Sequence, residues 1–398
     1  MKSSLNKYRI IFICENDLSQ PVGGTYHVKE LLEALNKRFS DITLITPCYS
    51  KNLNQMILPK INDIKIIKTG NLPIIKWLLF YIVSSIYVIL LKFKIRKRAI
   101  IYSREMPLNI FLPIISKIFN IPYFIEVNGF LLKEIISSKS KFRLLKHLLT
   151  YLLEKINFKL STGIVTVSEQ LKKLIQSTFG IESYKITTVY NGVKIINPEP
   201  DNGYINFSNI FRLHNPIIIG FLGSCYPYHD IGLLIKAAPD IIKLNPRTRF
   251  VIAGDGEMLP EWKSAVKLKD LDSFFYFPGQ IKKQESFKFS NSFSICYNLY
   301  YRHVAPGMKI LEYLSTGKPV LYIDNPENRK LFKNFNNILW VKEHNKDSLL
   351  AAIKEVLKNP TKYHDSEAPD KIMKEFSWEN SAQNILKVIE KRLFPLYT

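Results

Sequence analysis

The chain has 398 residues and is 46% hydrophobic, too long for one ordinary core and too apolar for a disordered chain, so two globular domains are expected. Fifty-six Lys and Arg against 34 Asp and Glu leave a net charge of +22, far beyond what solubility needs, which predicts an anionic partner. The four cysteines, Cys14, Cys48, Cys225 and Cys296, are far apart, and the seven histidines lack ligand spacing; a zinc or redox centre is excluded, and free thiols in a reducing compartment are expected.

In chain order, Tyr8 to Cys14 is an apolar run that predicts a buried strand with no signal peptide before it. Pro21-Val22-Gly23-Gly24-Thr25-Tyr26-His27 follows and leads into a helix with apolar residues at Val28, Leu31, Leu32 and Leu35. Two glycines at a helix start admit a close backbone approach and favour phosphate. Trp77 to Leu91 carries no charge over fifteen positions, short of the roughly 20 needed to span a bilayer. Lys92-Phe93-Lys94-Ile95-Arg96-Lys97-Arg98 comes next, and then apolar Ile110, Phe111, Leu112, Ile114 and Ile115. The segment from Trp77 to Arg98 reads either as a helix lying on an anionic membrane surface or as a buried helix with a solvated basic end.

Tyr123 to Val127 is a strand ending at Asn128-Gly129. Ser161 to Leu171 contains a residue of capping type, Ser168, and Ile186 to Val193 contains a turn pair, Asn191-Gly192; both are read as structural. Asn197 to Gly203 has linker composition, so one domain is placed at residues 1–195 and a second at 213–376, with a last helix from about 377 to 398. Ile217 to Gly223 is a further buried strand leading into Ser224-Cys225-Tyr226-Pro227-Tyr228-His229. Two more strands end at Gly254-Asp255-Gly256-Glu257 and at Pro278-Gly279-Gln280-Ile281. Asp270-Leu271-Asp272 has metal-binding spacing but follows a Lys-rich helical stretch instead of ending a strand, and no metal is expected there.

The most informative stretch runs from Arg302 to Leu321. Pro306-Gly307 opens a helix whose free N–H groups suit an anion, Lys309 adds a point charge, and Glu312 follows on the same face within reach of hydroxyls on the same ligand. A nucleotide sugar has that chemistry; an ordinary amphipathic helix ended by Gly317 has the same pattern.

This stretch resembles the donor-binding signature of the retaining, two-domain glycosyltransferase 4 family, in the variant Ser-Pro-x-Lys-x-x-Glu-Tyr, with Pro306 and Gly307 at its first two positions. Where the family usually has two glutamates eight apart, Glu312 matches the second and Val304 stands at the first. The resemblance implies an α/β GT-B fold: two Rossmann-like domains facing a central cleft, with the C-terminal helix crossing back to the first. It implies donor contacts from Gly23, Gly24, Ser224, His229, Ile281, Gly307, Met308, Lys309 and Glu312, with the diphosphate at Lys309 and the ribose at Glu312. His27 falls on the acceptor side. The catalytic positions are Lys309, Glu312 and Asn128; Asn128 takes the place of a family histidine and cannot act as an acid or base at neutral pH, so proton transfer is expected to fall to the leaving phosphate.

The expected activity is retaining transfer from a nucleoside diphosphate sugar to a lipid-linked or cell-surface glycan in polysaccharide, O-antigen or capsule synthesis, with no cofactor required. The expected site is the cytoplasm, peripheral on the inner face of the cell membrane. Nucleic acid is disfavoured because no recognition-helix, RNA-binding or zinc signature accompanies the charge. A nucleotide-sugar epimerase of the same fold and a catalytically silent basic membrane-binding protein remain as alternatives.

Overall fold

The computed structural model describes residues 4–49, 53–72, 75–95, 97–106, 109–136, 143–194, 205–301 and 306–395. Arg96, Val304 and the expected linker 197–203 lie outside them. The chain divides into two compact units, Met1–Gly192 with Trp378–Thr398, and Val193–Ser377.

The strands of the first unit are β1 (Tyr8–Ile13), β2 (Ile42–Cys48), β3 (Asp63–Lys68), β4 (Arg98–Arg104), β5 (Tyr123–Val127), β6 (Gly163–Thr166) and β7 (Ile186–Thr188). All pair in parallel in the order β3-β2-β1-β4-β5-β6-β7. A parallel sheet covered by helices on both faces buries most side chains of its inner strands, which is why β1, β2 and β5 are largely apolar or small, with Arg9 in β1 and Glu126 in β5 as charged exceptions. The helices are α1 (Gly23–Arg38), α2 (Ile75–Lys94), α3 (Phe111–Ile118), α4 (Leu131–Ile136), α5 (Arg143–Leu160) and α6 (Glu169–Phe179). Val28, Leu31, Leu32 and Leu35 of α1 are buried as their spacing predicts. Ser168 caps α6, its hydroxyl accepting from the Leu171 amide at 3.0 Å, and Gly180 ends the helix in the left-handed region.

The charge-free run Trp77–Leu91 is part of a longer element. Lys76, Lys92 and Lys94 are themselves helical, so α2 has 20 residues, and the expectation that it is too short to cross a bilayer is wrong by length and composition. The fold uses it as a crossover between β3 and β4, with Phe80, Tyr81, Ser84, Ser85, Val88 and Leu91 buried. The basic cluster after it is also partly structural: Lys97 pairs with Asp41 at 2.7 Å, and Arg98 is the first residue of β4.

The second unit repeats the plan. Its strands β8 (Ile217–Leu222), β9 (Thr248–Ala253), β10 (Phe275–Gly279), β11 (Ile295–Asn298), β12 (Val320–Ile323) and β13 (Ile338–Val341) form a parallel sheet in the order β10-β9-β8-β11-β12-β13. Its helices are α7 (Phe207–Phe211), α8 (Ile231–Leu244), α9 (Leu259–Lys267), α10 (Ser286–Asn291), α11 (Met308–Leu314), α12 (Pro326–Leu331), α13 (Lys346–Lys358) and α14 (Ala368–Phe376). The helix opened by Pro306-Gly307 ends at Leu314, and Gly317 turns the chain at φ +68°. Asp270 and Asp272 sit before β10, at the edge where strands begin, away from the strand ends where ligands of open parallel sheets bind.

The last helix, α15 (Trp378–Leu393), belongs to the first unit and packs on α1. Here the Asn-Gly turn has a steric reason: a Cβ on Gly192 would lie 2.4 Å from the Trp378 amide nitrogen. The Trp378 side chain is buried edge-on against His27 at 5.0 Å between ring centroids.

Candidate functional site

In each sheet the chain winds outward from one strand and then crosses to its other side, which leaves a crevice at the carboxyl ends of β1/β4 and of β8/β11. Ligands of doubly wound sheets bind at such switch points. Both crevices hold the chain's unusual polar groups.

In the second unit, α11 is fastened to the end of β8. The Leu222 amide donates to the Tyr313 hydroxyl at 2.7 Å, and Tyr313 is buried. Lys309 lies one turn earlier on the same helical face and is thereby carried over Gly223. The fit is close: a Cβ on Gly223, whose φ is +155°, would stand 1.7 Å from Lys309 Nζ, so only glycine leaves room for the lysine. Lys309 Nζ lies 3.2 Å from His229 Nε2 and 4.4 Å from the centre of the Phe221 ring. Burial pushes the Lys309 ammonium down to about 7, against the raising influence of Glu312. A lysine held in this way gains most from an incoming dianion.

Glu312 is paired with Lys283, which comes from the short 3-10 turn before α10. Sequence reading missed Lys283, because nothing local links it to a glutamate 29 positions away. His229 is buried among Phe221, Tyr228 and Tyr300 at 4.9, 4.7 and 5.5 Å between ring centroids. Ser224 is exposed just past β8, and Ile281 is half-buried just past β10. Gly307 precedes α11 in extended conformation and Met308 is its first residue. Gly223, Lys309 and His229 are thus in one place, with Glu312 on the same helix; Ser224 and Ile281 lie along the same sheet edge.

The crevice of the first unit is built around Glu126, the penultimate residue of β5 and 2% exposed. His27 Nε2 is 2.7 Å from its Oε1, the Asn128 amide donates to Oε1 at 2.8 Å, and the Tyr102 hydroxyl donates to Oε2 at 2.8 Å. Arg104 Nε is 3.7 Å from Oε1, and its Nη1 donates to Asn16 Oδ1 at 2.6 Å. Burial alone would push the Glu126 carboxyl up, but the His27 and Arg104 charges with the His27 and Asn128 hydrogen bonds outweigh it and hold the group at about 2.

His27, expected on the acceptor side, is therefore 4% exposed and committed to Glu126, while Asn128 is committed to the same carboxylate. Gly24 packs against this cluster, where a Cβ would lie 3.0 Å from Asn16 Nδ2; Gly23 is exposed. Sequence reading missed Glu126, Arg104 and Glu15. Glu15, just beyond β1, accepts from the Tyr81 hydroxyl at 2.6 Å, and burial raises its carboxyl to about 7.

Both units match known families. Residues 22–195 match the family model described as Glycosyltransferase Family 4, and residues 206–371 match the one described as Glycosyl transferases group 1. An uncharacterized glycosyltransferase of Methanocaldococcus jannaschii is 24% identical over 243 residues, 57% of this chain and 60% of that protein. Spore coat protein SA of Bacillus subtilis is 27% identical over 251 residues, 57% of this chain and 64% of that protein. The chain thus spans about three fifths of the length of these curated relatives. Among solved structures, Anabaena HepE in complex with UDP superposes with a TM-score of 0.72 at 15% identity, over 96% of this chain and 100% of that one. With the two family models together taking in residues 22–195 and 206–371, the chain belongs to the glycosyltransferase 4 family and has the GT-B fold.

Proposed function

We propose that this glycosyltransferase moves a sugar, with retention of anomeric configuration, from a nucleoside diphosphate sugar to a glycan carried on a lipid. It would work peripherally at the cytoplasmic face of the cell membrane, in polysaccharide, O-antigen or capsule assembly. The observation that carries the donor assignment is Lys309, a partly desolvated ammonium over Gly223 at the switch point of the second sheet. As the bond between C1 and the phosphate oxygen breaks, negative charge grows on the diphosphate, and Lys309 stabilises it without requiring a metal. The acceptor oxygen bonds to C1 on the same face, and its proton passes to the departing phosphate. Glu312 takes the ribose hydroxyls, exchanging its bond to Lys283 for them. The solved structure of HepE with UDP supports a uridine donor.

The surplus of +22 supports an anionic partner. A membrane is favoured over nucleic acid because the basic residues of Trp77–Arg98 stand among exposed apolar ones, including Trp77, Leu90 and Phe93. Such a surface supports a lipid-linked acceptor.

Calorimetric titration with UDP tests the donor assignment. Glu312→Ala removes a carboxylate accepting charge-assisted bonds worth about 1.5 to 3 kcal/mol, so UDP affinity falls by roughly 10- to 100-fold, with little change in melting temperature. Wild-type affinity in the variant would remove Glu312 from the donor site.

A further inference from the structure

Helix α5 is inside out. At about 100° per residue, its exposed large residues Leu144, Leu145, Leu148, Leu149, Leu152 and Ile156 share one side. The opposite side, which packs inward, carries the polar Thr150, Glu154 and Asn157 beside Phe158. Among these inward polar groups, Asn157 accepts from the Tyr123 hydroxyl at 3.3 Å and donates to the Asn109 carbonyl. The exposures are large, 76% for Leu144 and 54% for Leu148. A helix facing water would not be built this way.

Two neighbours share the trait. On α2, Ile75, Leu79, Val83, Ile86, Leu90 and Phe93 form a single exposed stripe, opposite Phe80, Tyr81, Ser84, Val88 and Leu91. On α3, Ile114 and Ile118 are exposed one turn apart, and α3 packs against both α2 and α5. The three helices therefore present one broad apolar surface within the first unit.

Its charge narrows the occupant. Neither α2 nor α3 contains an acidic residue, and the single one in α5, Glu154, is buried. Lysines rim the apolar stripes: Lys76 and Lys94 on α2, Lys117 on α3, Lys146 and Lys159 on α5. A second copy of the chain would bring another +22 against the same rim. An anionic lipid surface satisfies both features, taking the apolar side chains among its acyl chains and the ammonium groups among its headgroups.

We propose that the outward faces of α2, α3 and α5 together form a bilayer-inserting surface, with α5 its principal element, so that the enzyme is held chiefly by apolar insertion and only secondarily by charge. The inference deepens the membrane reading above, which rests on the segment Trp77–Arg98, and extends it to an element of the chain that segment does not contain.

The test is flotation of the full chain with vesicles of phosphatidylcholine containing a quarter phosphatidylglycerol, at low and at 0.5 M salt. Wild type is expected to float in both, because insertion persists when the Debye length shrinks. A Leu148→Glu, Leu152→Glu double variant is expected to lose partitioning by on the order of 100-fold, with an unchanged melting temperature since both side chains already face out. Lys146→Glu, Lys159→Glu is expected to bind more weakly at low salt only. Leucine variants that float like wild type would overturn the proposal, while loss of binding on charge reversal of Lys94, Arg96, Lys97 and Arg98 would leave the narrower Trp77–Arg98 contact standing. No flotation of wild type would overturn both. A wild-type dimer that the leucine variant dissolves would assign the surface to self-association instead.

Discussion

Replacing Lys309 with alanine is expected to lower kcat by on the order of 100- to 1,000-fold while raising the donor KM far less. In the proposed donor site the ground-state diphosphate would be held by several groups, while the charge that grows as it departs would fall on Lys309 Nζ, which sits between His229 and Phe221. An interaction that strengthens only along the reaction coordinate is read in kcat. The pH profile gives an independent signature. In the free enzyme Lys309 loses its proton as pH rises through about 7, whereas a bound diphosphate favours the charged form and raises that value. Donor kcat/KM should therefore decline above about pH 7 and kcat only at higher pH, and the decline at pH 7 should vanish in Lys309→Ala. Steady-state kinetics from pH 6 to 9 on both proteins checks this; an unchanged kcat would place Lys309 outside the reaction.

The largest expected effect on stability is at Glu126. Glu126→Ala removes the shared partner of His27, Arg104, Asn128 and Tyr102 and leaves a buried imidazole and a guanidinium without their carboxylate. Breaking a buried ion pair from one side costs about 3 to 5 kcal/mol, and the loss should appear as faster amide exchange in β4 and β5 and a lowered melting temperature. The sign of the pH dependence follows from the depressed carboxyl. Its folded value of about 2 lies below the ordinary value of 4.5, so its stabilisation is complete above about 4.5 and is lost as pH falls toward 2. Glu126→Gln should flatten that part of the acid-unfolding curve. If Glu126→Ala melts like wild type, the cluster contributes nothing net to the fold.

What could be read in advance depended on how local each signal is. β1 and β5 were legible because buried parallel strands are mostly apolar, Arg9 and Glu126 being their charged exceptions, and helix α11 because Lys309 and Glu312 stand one turn apart behind a Pro-Gly start. The cluster on Glu126 was not, since its members come from β4, β5, α1 and the loop after β1 and meet only once the strand order is known. His27 could be placed beside the glycine loop, yet its burial under Trp378 depends on the C-terminal helix returning to the first unit. α5 was passed over for the opposite reason: leucines at helical spacing look the same whether they face a core or a lipid, and only the burial of Thr150, Glu154 and Asn157 shows which side is inward. In α2 the helix outran its charge-free stretch because lysine ends are good helix formers.

The central claim, retaining transfer from a nucleoside diphosphate sugar onto a lipid-linked glycan, is tested most directly by product analysis. The full-length enzyme would be incubated, with chelator present, with a panel of nucleotide sugars and a membrane lipid extract, and the anomeric configuration of the product read by NMR. The account predicts one preferred donor, a glycosylated lipid carrying the donor's own anomeric configuration, and release of the nucleoside diphosphate. An inverted product, a donor merely epimerised, or transfer that appears only when magnesium or manganese is restored would contradict it.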